Sequence, residues 1–452
     1  MLVVLSDLHL SDKKSTQIGT RRFFRNLPPE TYRSYFRELN QIILANNLAH
    51  LDFVLAGDIL EISRSSQWLK GDARPYIDNN DVQPGSEAEK TILSIIEDLA
   101  KEERVGATFN LFRNIQDYFA VEVNLHYIPG NHDRLVNATP NIRQRVRELL
   151  GLKKASELLP THLVFKDYLG KPFCLIRHGH EYDPTNFAIN IQDYNQIPTE
   201  IPLSAYGKAC LGDIITVEYG ASLPWIFEQV YGQEAIRKDN TLLAMWQRLN
   251  EFDDVRPTSA WSAYLFSTPG ISREKTWTLL EPCFVKIINN LRDVEHFNKT
   301  LRDSDAVNEF VRIAMMFLLK IGVFRKGIPF WLVNLLMKAV SSEKLDPQVK
   351  WAKKEELILD KNSGCQCVIS GHTHFSEVSL ISASEHTQRY YINSGTWRNV
   401  IPATTNLSDF GRLKGVTKVV VFYPQETYDE SSPYDWAFHT MSGVSYGDRR
   451  LI

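Results

Sequence analysis

At 452 residues the chain is too long for one average domain, and 43% hydrophobic with 23% charged residues describes a globular protein able to bury a large core. A net charge of −3 supplies no global basic field, which argues against binding nucleic acid through overall charge. The five cysteines (Cys174, Cys210, Cys283, Cys365, Cys367) are scattered. Cys365 and Cys367 are read in one strand without zinc-knuckle spacing, so reduced buried thiols and a cytoplasmic setting are expected.

In chain order, a first strand begins at Leu2, leaving no room for a signal peptide, and runs through Val3-Val4-Leu5-Ser6 into Asp7-Leu8-His9. The polar stretch Ser11 to Asn26 carries Arg21, Arg22 and Arg25 and is read as a solvated loop face, with a phosphate-contacting loop as the alternative. Pro28-Pro29 opens a helix with Tyr32, Phe36, Leu39 and Ile43 at helical spacing. Phe53 to Ala56 then runs into Gly57-Asp58, completing a βαβ unit and hence a parallel pair. After a loop, Ser86-x-x-Glu89 reads as a capping box for a helix with Ile92, Ile95, Ile96 and Leu99. A second helix, about Ala107 to Ala120, precedes the apolar run Val123 to Tyr127, which turns outward at Ile128-Pro129-Gly130-Asn131-His132-Asp133. Asn141 to Leu150 suggests a short helix with a basic outer face. Asp167 to Lys171 joins two strands as a hairpin, the second of which, Phe173 to Arg177, reaches His178-Gly179-His180.

Between residues 186 and 360 the alternation of strand and helix stops, and the stretch is read as a mainly helical insertion packed over the sheet edge, a cap. Residues 310–340 are unusually apolar, but Lys320, Arg325 and Lys326 interrupt them, so neither half reaches the roughly 20 residues needed to span a bilayer. A buried helical hairpin is expected there, with a membrane-surface or lipid-binding face as the alternative. Cys367 to Ser370 runs into Gly371-His372-Thr373-His374, and paired strands Phe375 to Ser382 and Arg389 to Asn393 follow, then a turn, Asn393 to Arg398, and a buried strand, Val416 to Tyr423. The expected division is therefore a core in two parts, 1–185 and 361–425, an insertion at 186–360 and a polar tail at 426–452.

Five apolar strands thus deliver Asp, Asn or His at their carboxyl ends, the edge of α/β sheets where ligands gather. Imidazoles, carboxylates and one amide oxygen, with no thiol, suit borderline to hard divalent ions. They are too many for one tetrahedral ion and about enough for two that share a bridge.

The series Asp7-x-His9, Gly57-Asp58, Gly130-Asn131-His132-Asp133, His178 and Gly371-His372-Thr373-His374 resembles the calcineurin-like metallophosphoesterases, over roughly residues 1–185 and 360–425. The resemblance implies an α/β (α+β) fold, a four-layer β-sandwich flanked by helices. It implies two divalent ions, manganese favoured, with iron, zinc or nickel as alternatives. Asp7, His9 and His374 would hold one, Asn131, His178 and His372 the other, and Asp58 both. Such ions lie about 3.5–4 Å apart and share a hydroxide that attacks phosphorus in line. His132 is left to stabilise charge or protonate the leaving oxygen, with Asp133 orienting its ring. His180 remains an alternative ligand or a substrate contact, and Arg177 and Arg398 are further candidate substrate contacts.

Within the family, serine/threonine protein phosphatases carry Asp-Arg-Gly after the second-block aspartate and a Glu closing the Asn-His block. Here Glu61-Ile62-Ser63 and Asp133 stand instead, against that activity. Gly57-Asp58-x-x-Glu61 looks more like the UDP-2,3-diacylglucosamine hydrolase branch, though Glu61 serving only as a turn cap stays open. This chain is far longer than that branch and has His132 where those enzymes typically have Arg. The expected activity is hydrolysis of a phosphodiester or pyrophosphate in a small or amphiphilic nucleotide or lipid phosphate. A DNA-processing nuclease of the same superfamily is the alternative, and a non-catalytic scaffold a third reading. The expected partner is the phosphate ester, with a membrane surface reached through 310–340 and, less favoured, nucleic acid as alternatives; the expected setting is cytoplasmic, with a peripheral membrane position as the alternative.

Overall fold

The computed structural model describes residues 1–292, 294, 348–426 and 437–445, except positions 16, 19, 20, 23, 24, 154, 385 and 386. Its strands in chain order are β1 (Leu2–Leu5), β2 (Gln17–Ile18), β3 (Arg21–Arg22), β4 (His50–Ala56), β5 (Glu122–Ile128), β6 (His162–Lys166), β7 (Pro172–Arg177), β8 (Val255–Arg256), β9 (Cys367–Ser370), β10 (Ser376–Ala383), β11 (Gln388–Ser394), β12 (Asn399–Pro402), β13 (Leu413–Val421) and β14 (Phe438–Ser445). They form two mixed sheets and a small ribbon, β2 with β3, inside the stretch read as loop. The larger sheet runs β5-β4-β1-β13-β12-β8 with β14 also on β13, and the second runs β10-β11-β9-β7-β6. The expected parallel pair is present: β1 lies beside β4 with Val3 opposite Phe53, and β5 extends it with Asp52 opposite Asn124. The Asp167–Lys171 hairpin joins β6 to β7, antiparallel, and β7 and β9 are parallel neighbours.

Alternation along these strands sorts the core into layers, because successive side chains leave opposite faces of a sheet. Leu2, Val4, Val54 and Ile128 pack across the gap against Cys174, Ile176, Ile369 and Ile392 of the second sheet. Val3, Leu5, Phe53 and Leu55 face the other way, onto Phe36, Leu39, Ile95 and Phe112. Those residues belong to helices α1 (Pro29–Ala45), α2 (Glu87–Lys101) and α3 (Glu103–Arg113), joined by α4 (Pro140–Leu150). The outer face of the second sheet, Leu175, Val368 and Tyr391, is covered by Ala352 and Ile358. The caps are local. Ser86 Oγ accepts from Glu89 N at 3.2 Å, and Thr139 caps α4. The expected helix at 107–120 starts and ends earlier, as α3, because the Glu102 carboxylate accepts from Val105 N at 2.8 Å, and a 3₁₀ turn, Ile115–Tyr118, follows.

The described part of the insertion is mainly helical, with a core of Leu223, Phe227, Trp246, Leu249, Phe252 and Tyr264. A π-helical segment, Thr216–Ala221, lies between Leu211–Ile215 and Ser222–Tyr231, just before Pro224, which has no N–H to continue the α register. The insertion is not separate from the sheets: β8 pairs in parallel with β12, Val255 opposite Ile401. The hairpin expected at 310–340 lies outside the described residues. Among the described residues no helix is long and apolar enough to cross a membrane.

Two expectations are corrected. The tail at 426–452 contains β14, which pairs with β13 from Lys414 to Val421; its mixed polar composition hid it. Cys365 precedes β9 rather than lying in it, although all five thiols are free and four are buried.

Candidate metal centre

The loops after β1, β4, β5, β7 and β9 converge, and the backbone locks them together. Asp7 N donates to Gly57 O at 3.0 Å and His9 N to Asp58 O at 2.9 Å, joining the first two loops. Gly371 N donates to His178 O at 2.7 Å, joining the fourth and fifth. His372 N donates to the Asp7 carboxylate at 2.9 Å, which ties one sheet to the other. Seven non-glycine residues among those described have positive φ, and five of them are candidate ligands: Asp7 (55°), His9 (45°), Asp58 (53°), His372 (70°) and His374 (62°). Backbone strain concentrated in this way persists only where the surroundings over-determine it, and it favours a functional reading of these loops.

The side chains form three groups whose ligand atoms lie within 4.8 Å of one another: Asp7, His9 and His374; Asp58, His178 and His372; and His9, Glu61 and His132. His178 Nδ1 donates to Ala56 O at 2.9 Å, which orients the ring and turns Nε2 toward Asp58. That Nε2 is buried without a hydrogen-bond partner, although Asp58 Oδ2 is 3.1 Å away. Beside that carboxylate the ring is held protonated, and a cation shared by Nε2 and Asp58 would take the place of the proton. His372 Nδ1 lies 3.1 Å from the Asn131 amide oxygen, while its Nε2 is 3.0 Å from Asp183 Oδ2. His9 Nε2 and His374 Nε2 face each other at 3.0 Å, with Asp7 Oδ1 3.3 Å from His374. The residues therefore fit two hard or borderline ions. The third group is an orienting one, since Glu61 spends one oxygen on His9 Nδ1 (2.8 Å) and the other on His132 Nδ1 (2.6 Å).

Charge follows geometry. Burial resists ionisation of Asp58, but His178, His132 and His9 outweigh it and hold the carboxyl well below its ordinary range. Burial likewise opposes a charged His132, and Glu61 with Asp58 overcomes it, raising the ring to about 9. Asp58 raises His178 to about 10 in the same way. His180 goes the other way: burial lowers it to about 4.

The seven expected ligands are all brought together, and His132 stands beside them, its backbone N–H donating to Asp58 Oδ1 at 2.8 Å. His180 joins none of the three groups. Asp133 does not orient His132. Its buried carboxylate turns under the loop and accepts from the backbone of Gly130, Ile59 (2.8 Å) and Leu60 (3.2 Å) and from Tyr127 Oη. Arg177 also leaves the site: it is buried and paired with Glu355 at 3.0 Å, and donates to Pro198 O and Thr199 O. Arg25, read on a solvated loop, is buried and paired with Asp253.

Arg398 lines a cleft that contains His9, Asp58, Asn131, His132, His372 and His374. The insertion supplies part of the same cleft, including Tyr219 from the π segment, Phe252, Arg256 and Trp261. Arg256 donates to His374 Nδ1. Asp183 is the site residue that motif reading passed over, and Glu61 was singled out in the second block without a role at the site. Glu61 had a signal, its fixed place after Asp58, whereas Asp183 had only its position beyond the His178 loop. No known family model matches the chain, and no curated protein sequence matches it.

Proposed function

We propose that this protein is a phosphoric ester hydrolase dependent on two divalent ions, of the calcineurin-like metallophosphoesterase type, acting on a phosphodiester or pyrophosphate. The observation that carries the reading is the pair of candidate ligand groups on converging strand ends, Asp7-His9-His374 and Asp58-His178-His372, with the buried His178 Nε2 turned toward Asp58 between strained loops. Bound ions would polarise phosphoryl oxygens and make water a usable nucleophile near neutral pH. The chain's own contribution is positioning. Asp58 lies against His178 in one group and 3.6 Å from His9 in the other, so one carboxylate serves both. His132, held by Glu61 and raised above its ordinary value, is an N–H donor fit to take up charge on a phosphoryl oxygen or to protonate the leaving oxygen.

The test is elemental analysis of the purified protein, with bis-p-nitrophenyl phosphate cleavage assayed in manganese and in a strong chelator. Two ions per chain and chelator-sensitive cleavage are expected, and Asp58→Asn should lower occupancy of both sites together. Absence of bound metal, with cleavage indifferent to chelator, refutes the reading.

A further inference from the structure

We propose, resting on the two-ion reading above, that Asp183 is a positioning residue for the group built on His178 and His372, and that the insertion sets this group through the turn carrying Asp183. The Asp183 carboxylate is buried and belongs to none of the three ligand groups. Its two oxygens serve different ends. Oδ1 accepts from Thr185 N at 2.8 Å, which closes the turn. Oδ2 faces His372 Nε2 at 3.0 Å and accepts from Asn186 Nδ2 at 2.6 Å. With Nε2 so held, Nδ1 is the His372 nitrogen turned to Asn131 Oδ1, 3.1 Å away. Asn186 holds that residue as well: its Oδ1 accepts from Asn131 Nδ2 at 3.3 Å, so the amide oxygen of Asn131 is the end left facing His372. One turn thus grips, from outside, two candidate ligands that arrive on separate loops, after β5 and β9.

The turn is itself held by the insertion. Gly212, in the short helix Leu211–Ile215, donates its N–H to Thr185 O at 2.8 Å. The approach is so close that a Cβ on Gly212 would lie 2.0 Å from Asn186 Oδ1 and 3.2 Å from Thr185 O. The same helix is fastened to the core by Asp213, whose carboxylate is 3.0 Å from Arg134, two residues beyond His132. Both partners are buried, and separating a buried pair leaves an uncompensated charge, so the helix keeps its place over the turn. A carboxylate behind a ligating imidazole fixes which nitrogen faces the ion and how the ring stands. The insertion therefore reaches one ligand group through three contacts in series: Gly212 on the turn, the turn on Asp183 and Asn186, and those two on His372 and Asn131. The other group is oriented by different residues, Glu61 behind His9 and Arg256 behind His374. Loss of the turn should accordingly be felt at one ion and not at the other.

Manganese is titrated calorimetrically into the chelator-treated full chain, wild type and variants. Wild type should take up two ions. Asp183→Ala should weaken one of them by about 10–100-fold and leave the other near wild type. Asp183→Asn, which keeps the shape and one acceptor oxygen, should recover part of the loss. Gly212→Ala changes neither a ligand nor Asp183, yet it should weaken the same ion by about tenfold, because the added carbon displaces the Asn186 amide. Unchanged affinities in Asp183→Ala, or equal weakening of both ions, overturn the positioning role, and unchanged binding in Gly212→Ala overturns the part given to the insertion. A second measurement needs no metal. In nitrogen-15 spectra of the histidine side chains of metal-free protein, the Nε2-bound proton of His372, identified by its loss in His372→Gln, should be visible in wild type. In Asp183→Ala it should be broadened by exchange with water. The same signal in both proteins overturns the role of Asp183. If wild type binds no manganese, the two-ion reading fails, and this spectrum still decides whether Asp183 holds the ring.

Discussion

Glu61 divides its two carboxylate oxygens between His9 and His132, so it orients a candidate ligand and a candidate acid at once. His132→Gln should therefore lower kcat by about 10²–10⁴ while metal content stays near wild type, and loss of metal instead would make His132 a ligand. The pair also has a pH signature. His132 moves from an ordinary 6.5 to about 9, so its stabilising contribution is complete below pH 6.5 and is lost as pH rises through 9. In chelator-treated protein, the melting-temperature advantage of wild type over His132→Gln should shrink across that window. An advantage that grows with pH contradicts the pairing. The sequence made His132 legible but misassigned its partner. Adjacency suggested Asp133, yet the turn aims Asp133 inward, and Glu61 arrives only because Glu61 N pairs with Leu10 O at 3.0 Å. No residue pattern records that pairing.

Strand-to-loop junctions were the legible elements, because buried strands and chemical residues at their ends are both written in local composition. β1, β4, β5, β7 and β9 all appear where the apolar runs placed them. β8, two residues long, and β14, whose apolar residues Phe438, Met441 and Val444 fall every third position rather than alternating, carry no such signal and are set by the partners they pair with. At this scale the junctions leave no room. A Cβ at Gly130 would lie 2.3 Å from Asp58 Oδ1 and 2.6 Å from Asp58 N, and one at Gly57 would lie 2.2 Å from His178 Nδ1. Gly130→Ala should therefore displace Asp58 and reduce metal content and activity together. Gly170→Ala, at a hairpin tip with nothing within 4 Å of the added carbon, should do neither. Metal analysis of the two variants checks the contrast, and full occupancy in Gly130→Ala would show that the loop gives way more easily than its contacts suggest.

Across the whole molecule the ligand groups join two sheets, so metal should act as a fastener for the core. Saturating manganese at 100 times its dissociation constant should add about 2.7 kcal/mol per ion to the unfolding free energy. Denaturant titrations at increasing manganese should thus shift the midpoint of the entire transition. A midpoint independent of metal would mean that the groups do not hold the sheets. The tie between Asp7 and His372 spans 365 positions, and each of the two ligand groups needs a histidine from the 372–374 loop. On a ribosome adding roughly 5–20 residues per second, that loop follows Asp7 by about 20–70 s. Throughout that interval neither group can close, and a growing chain carries isolated half-sites with no cage to choose one cation over another. Selection of an ion would then belong to a chain in which both loops are already present.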